Sequence, residues 1–128
     1  MYSDLLLDHF QRPRNVGELA APAFTVEASN PACGDILRLS VLFEGGRAAA
    51  ARYKVRGCTA SIAAGSALTE WISGKSADQL EAFKVSFVEQ ALGGLEAESK
   101  HAAVLCADAV KLLLKRAAPP GKALRRSE

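Results

Sequence analysis

Residues 36–43 alternate between apolar and polar positions: Leu37, Leu39, Val41 and Phe43 point one way, Arg38 and Ser40 the other. The same period of two returns after a short break, with Ala49, Ala51, Tyr53 and Val55 set against Arg52, Lys54 and Arg56. A two-residue period is that of a strand with one buried face, and the intervening Glu44-Gly45-Gly46-Arg47 is a hairpin signal. Residues 24–28 make a third, shorter strand candidate. Elsewhere the period lengthens. Leu5, Leu6, Leu7 and Phe10 behind a Ser3 cap predict a first helix, which Pro13 ends and Asn15 and Gly17 keep broken. Ile62, Leu68, Trp71 and Ile72 predict a helix over 59–73 with Gly74 as its stop. Shorter helices are expected over 76–83, with a Ser cap, and over 85–92, before a loop opened by Gly93 and Gly94. Residues 100–115 read as a long helix, apolar nearly all round and so buried against the sheet. Strands first and helices after them predict an α+β fold: a three-stranded antiparallel sheet with helices on one face and a long C-terminal helix.

A chain of 128 residues is one domain by size. Its expected extent is 1–116, with a flexible C-terminal tail over 117–128 that contains Pro-Pro-Gly and charge. The formal net charge of +2 is too small, and its basic residues too dispersed, to argue for nucleic acid. Lys122, Arg125 and Arg126 cluster, as a solvated tail does. No stretch approaches the roughly 18 apolar residues of a membrane span, and the opening MYSDLLLDHF carries acids where a signal peptide carries bases. The chain therefore reads as cytoplasmic. Three cysteines are an odd count that closes no disulfide framework within one chain. In a reducing compartment they read as metal ligands, reactive thiols or buried filler.

Cys33 and Asp35 share the turn Ser29-Asn30-Pro31-Ala32-Cys33-Gly34-Asp35, just before the first hairpin arm. Cys58 follows the second arm. Antiparallel pairing brings residues before one arm close to residues after the other, so two thiols and a carboxylate should converge at one end of the sheet. Cys58 also precedes a helix N-terminus, where exposed N–H groups and the helix dipole favour a thiolate. Thiolates suit soft metals and iron–sulfur clusters. A second helix entering at Lys100-His101 can supply an imidazole, completing a four-donor set for zinc or iron. The plain alternatives are a buried apolar cysteine, a turn-forming Asp35 and a solvated His101 at a helix start. On spacing alone the task of such a site stays open.

At these residues the sequence resembles the IscU/NifU N-terminal iron–sulfur scaffold family, over nearly the whole chain up to about residue 115. Four ordered blocks carry the resemblance. They are Tyr2-Ser3 with Asp8-His9-Phe10 and Pro13-Arg14-Asn15-Val16-Gly17; Pro31-Ala32-Cys33-Gly34-Asp35; Gly57-Cys58-Thr59-Ala60-Ser61-Ile62-Ala63 with Thr69-Glu70-Trp71-Ile72-Ser73-Gly74-Lys75-Ser76; and His101-Ala102-Ala103-Val104-Leu105-Cys106-Ala107-Asp108-Ala109-Val110-Lys111. The resemblance implies a partly exposed site of Cys33, Asp35, Cys58 and His101. Such a site receives iron, and sulfide through a cysteine desulfurase, then builds a transient [2Fe–2S] cluster and hands it to recipient iron–sulfur proteins. Zinc often occupies the same site. A scaffold of this kind is not an enzyme.

Two departures bear on that expectation. In the IscU branch the final-helix histidine is followed directly by a third ligand cysteine; here that position is Ala102. Cys106 comes four residues later, about 40° round and about 6 Å along the helix from it. A gapped reading makes Cys106 a ligand; the ungapped one, preferred because Leu105 and Asp108-Ala109-Val110-Lys111 then fall into place, makes it buried filler. The branch's Leu-Pro-Pro-Val-Lys chaperone segment is matched by Leu95-Glu96-Ala97-Glu98-Ser99-Lys100, which has no proline, and this argues against delivery by that dedicated chaperone. Two other readings stand beside the scaffold. One is a zinc-dependent persulfide acceptor of the SufU kind, a transferase, against which the compact chain and His101 argue. The other is a degenerate relative acting as an interaction domain, kept open by Ala102.

Overall fold

The computed structural model describes residues 2–31 and 34–117. In chain order it runs α1 (Asp4–Gln11), β1 (Phe24–Ser29), β2 (Ile36–Glu44), β3 (Arg47–Arg56), α2 (Thr59–Ile72), α3 (Ala77–Glu81), α4 (Val85–Ala91), a 3₁₀ turn (Ala97–Ser99) and α5 (His101–Ala117). The three strands form one antiparallel sheet in the order β1-β2-β3. It is the α+β architecture that the two periods predict. Of the tail expected over 117–128, Ala117 closes α5 and residues 118–128 lie outside the described residues.

Leu37, Leu39, Val41, Ala51 and Tyr53 are buried on one face of the sheet, while Arg38 and Lys54 face outward. Beneath that face α5 packs on β1 and β2, and α2 packs on β3 and α5. Burying side chains such as Leu39, Leu68, Ile72 and Leu113 contributes about 1.5–3 kcal/mol each before chain entropy is counted. The helix α2 is built for close approach, because Ala60, Ala63, Ala64, Gly65 and Ala67 all lie on buried positions. At Gly65 a methyl group would sit 2.4 Å from the Tyr53 ring, so only glycine admits that contact. The Tyr53 hydroxyl then donates to the Ile62 carbonyl at 2.8 Å.

Two sequence expectations are corrected. Ala49 is exposed and Ala48 buried, because a bulge between Leu42 and Phe43 pairs Leu42 with Ala50 but Phe43 with Ala48. The extra residue shifts the side-chain phase by one. Likewise α5 is not buried all round. Its Ala102, Ala103, Leu105, Cys106, Ala109, Val110 and Leu113 face the core, whereas Val104, Asp108, Lys111 and Leu112 face solvent.

The opening residues act as a clamp. Ser3 caps α1 by accepting the Leu6 N–H at 3.0 Å. The buried His9 pairs with Ser66 of α2 at 2.8 Å, and Ser66 also accepts the Arg14 N–H at 2.9 Å. Asn15, at φ 64°, donates from its side chain to Thr69 at 3.2 Å. Its carbonyl accepts the Tyr53 N–H at 2.9 Å, and Gly17 donates to the Tyr53 carbonyl at 2.8 Å, which closes the edge of β3 at that point. Farther down the same edge Ala48 exchanges backbone hydrogen bonds with Lys75 and Gly74, both at 2.8 Å. From Gly17 the chain crosses the outer face of the sheet, where Glu18 pairs with Arg38 at 3.0 Å, to start β1 on the far edge. Ser40, an outward-facing residue, is nevertheless buried, and its hydroxyl shares a 3.0 Å hydrogen bond with Thr25.

Candidate metal centre

The hairpin register brings one carboxylate and one thiol of the expected set together. Ile36 pairs with Arg56, so the residues just outside this pair, Asp35 on one side and Gly57-Cys58 on the other, meet at the sheet end. The turn before β2 is held by Asn30 donating to the Asp35 carbonyl at 2.9 Å and by Gly34, at φ 78°, donating to the Asn30 carbonyl at 2.7 Å. Cys58 is the N-cap residue of α2, and its thiol is not used as a cap. His101 opens α5, whose packing beneath β1 and β2 carries its first turn to the same end.

Asp35, Cys58 and His101 each offer one donor atom, and the three atoms lie within 4.8 Å of one another. The Cys58 sulfur is 3.4 Å from Asp35 Oδ2 and 3.5 Å from His101 Nε2, and the imidazole is 3.3 Å from the same carboxylate oxygen. His101 Nδ1 lies 3.0 Å from the Glu98 carbonyl. A carbonyl only accepts, so Nδ1 carries the proton in that contact and Nε2 is left to coordinate. The 3₁₀ turn over Ala97–Ser99 therefore orients the ring.

Asp35 is only 6% exposed. Burial pushes its carboxyl up, yet hydrogen bonds from Ser61 and from the Cys58 thiol and N–H outweigh this and hold it below the ordinary carboxylate value. The shortest of these contacts is from Ser61, at 2.5 Å. Gly57 supplies the space: a Cβ there would lie 2.6 Å from the Asp35 carboxyl carbon and under 3.0 Å from both oxygens.

Of the sequence-predicted set, Asp35, Cys58 and His101 are together. Cys33 lies outside the described residues. Cys106 is 1% exposed within the core cluster, and burial pushes its thiol up to about 12, which disfavours the thiolate a metal takes. Ala102 is fully buried. The sequence reading missed Ser61 and Gly57. Gly57 carries no local signal beyond ending the second arm, and Ser61 sits at the third helical position after Cys58, a spacing that places its hydroxyl back over the N-cap.

The fold and this donor cluster define a class: the chain belongs to the NifU-like N-terminal domain family, whose pattern matches residues 1–117. Among curated relatives it is similar to the iron-sulfur cluster assembly scaffold protein IscU of Azotobacter vinelandii, 38% identical over 114 residues that cover 86% of this chain and 88% of the relative. It is also 36% identical over 111 residues to iron-sulfur cluster assembly scaffold protein IscU 1 of Archaeoglobus fulgidus, covering 87% of this chain and 72% of that one. Two solved structures share the fold. One is a putative iron-sulfur cluster assembly scaffold protein for the SUF system from Fervidobacterium islandicum, with a TM-score of 0.69 at 19% identity, covering 88% of this chain and 96% of that one. The other is a NifU-like N-terminal protein from Brucella abortus, with a TM-score of 0.69 at 17% identity, covering 91% and 95%. Among the described residues no helix is long and apolar enough to cross a membrane.

Proposed function

We propose that this protein is an iron–sulfur cluster assembly scaffold, with Asp35, Cys58 and His101, joined by Cys33, as the donors that hold the growing cluster. The observation that carries the reading is the convergence of a thiol, an imidazole nitrogen and a carboxylate oxygen within 4.8 Å at one end of the sheet. Family membership and the 36–38% identity to IscU scaffolds support it.

The chain's own residues divide the work by softness. The Cys58 thiolate and the His101 imidazole suit iron in a sulfide-bridged cluster. Asp35 is a harder oxygen donor and so the weaker corner, the one through which an incoming thiolate of a recipient displaces the scaffold. Sulfur comes from a sulfur donor, in this reading a cysteine desulfurase, with two electrons per sulfur from an external reductant to bring it to sulfide, and the product is a transient [2Fe–2S] cluster. Iron and cluster are cargo, so the protein turns over no substrate of its own. Zinc is an alternative occupant of the same donors.

Anaerobic reconstitution with ferrous iron and sulfide tests the proposal. A scaffold gives visible charge-transfer absorption and an iron-to-protein ratio of about two. Tightly held zinc with a persulfide on cysteine, and no cluster, selects the sulfur-acceptor reading instead. Uptake of neither selects an interaction domain.

A further inference from the structure

Ser61 is a residue of the site that no ligand pattern contains. It lies in the first turn of α2, is 2% exposed, and places its hydroxyl 2.5 Å from Asp35 Oδ2 and 3.4 Å from the Cys58 sulfur. We infer that Ser61 is the positioning residue of the metal centre: its hydroxyl fixes Asp35 so that Oδ2 faces Cys58 and His101, and thereby makes an aspartate a competent donor. This inference rests on the scaffold reading above and deepens it.

Three donors crowd that single oxygen, the Ser61 hydroxyl, the Cys58 N–H at 3.5 Å and the Cys58 thiol, with His101 Nε2 beside it at 3.3 Å. When a metal joins Cys58, His101 and Asp35, the thiol and ring contacts become ligand bonds and no longer orient the carboxylate. The Ser61 hydroxyl and the longer Cys58 N–H contact remain. Of these only Ser61 is short, at 2.5 Å against 3.5 Å, the range of a charge-assisted O–H···O⁻ bond. A carboxylate has a second lone pair on the same oxygen, so Ser61 and a metal can share it. Hydrogen-bond partners that orient first ligands in this way change metal affinity by about 10–100-fold when removed.

The test uses the full chain and cobalt(II), whose thiolate charge-transfer band reports cysteine ligation and whose affinity can be titrated against a chelator. Ser61→Ala should weaken cobalt by about 10–100-fold while keeping the thiolate band at saturation. Ser61→Thr, which keeps the hydroxyl, should stay within about threefold of the parent, and this rescue separates positioning from a general packing defect. In an Asp35→Ala background, Ser61→Ala should cost nothing further, because its role passes through Asp35. The inference is overturned if Ser61→Ala binds cobalt as the parent does, or if its loss is as large without Asp35. A parent protein that shows no thiolate band at all sinks the scaffold reading itself, and the positioning role with it.

Discussion

Gly57→Ala is the sharpest probe of how the site is built. The glycine carries no positive φ, so alanine fits the backbone there. Restricting the unfolded chain would by itself stabilise the protein by about 0.4–1 kcal/mol. Against this, the new methyl lies 2.6 Å from the Asp35 carboxyl carbon and 2.8 and 2.9 Å from its oxygens, all inside permitted contact. The carboxylate must swing away and lose its 2.5 Å bond to Ser61. A hydrogen bond to a charged group contributes about 1.5–3 kcal/mol. The two effects leave a net loss of about 0.5–2.6 kcal/mol, which a stable fold survives. Metal affinity should suffer far more, because the displaced oxygen is itself a donor; a fall of about 10–100-fold or beyond is expected. Gly65→Ala is the control. Its methyl would strike the Tyr53 ring at 2.4 Å, an overpacked core costing about 1–3 kcal/mol or more, while the donor atoms stay in place. Urea unfolding and cobalt(II) titration on both variants read the two quantities apart. The reasoning is refuted if Gly57→Ala binds metal like the parent, or if Gly65→Ala loses as much affinity as Gly57→Ala does.

Asp35→Ala should fold and, once reconstituted, pass its cluster to an acceptor more slowly than the parent; equal transfer rates with a lower melting temperature would make Asp35 a mere turn former. Cys106→Ala should leave cobalt affinity unchanged, and in the native parent Cys106 should resist thiol reagents until denaturant is added, as mass spectrometry of alkylated peptides would show. His9 is held below the ordinary histidine value by burial first and by the Arg14 charge second, against the pull of Glu70 and Asp8. The unfolded chain therefore takes up the proton first, and stability should be level above about pH 7 and fall as pH drops through about 6.5. His9→Gln should flatten that slope in urea titrations across pH 5–8, and an unchanged slope would assign the acid sensitivity elsewhere.

The sheet and the meeting of Asp35 with Cys58 were legible because a two-residue period and one turn signal are enough to fix a hairpin. The bulge was not, and the reason is local. Ala48, Ala49, Ala50 and Ala51 are four alanines in a row, so the pattern carries no phase where the slip occurs. The exposed side of α5 was obscured in the same way, since Val104 and Leu112 are apolar yet face solvent. His101 was open to a plain helix-start reading until the family resemblance tied it to the site, because nothing in its local spacing says which way the last helix runs beneath the sheet. Ser61 and Gly57 needed coordinates. Their importance lies in a distance to Asp35, across 26 residues of sequence in the case of Ser61.

The clamp formed by the opening residues has a consequence for how the sheet meets other chains. A strand edge with unpaired N–H and C=O groups is a template for another strand, and proteins cover or blunt such edges to stay apart from one another. On β3 that cover is borrowed from two segments: Asn15, which is held to Thr69 of α2, and Gly17 occupy Tyr53, while Gly74 and Lys75, just past α2, occupy Ala48. A chain trimmed of residues 2–17 would keep the second patch and lose the first. The bared stretch around Tyr53, Arg52 and Lys54 would then be free to pair with a copy of itself, and self-association, more than lost helix, would be the mark of that missing segment.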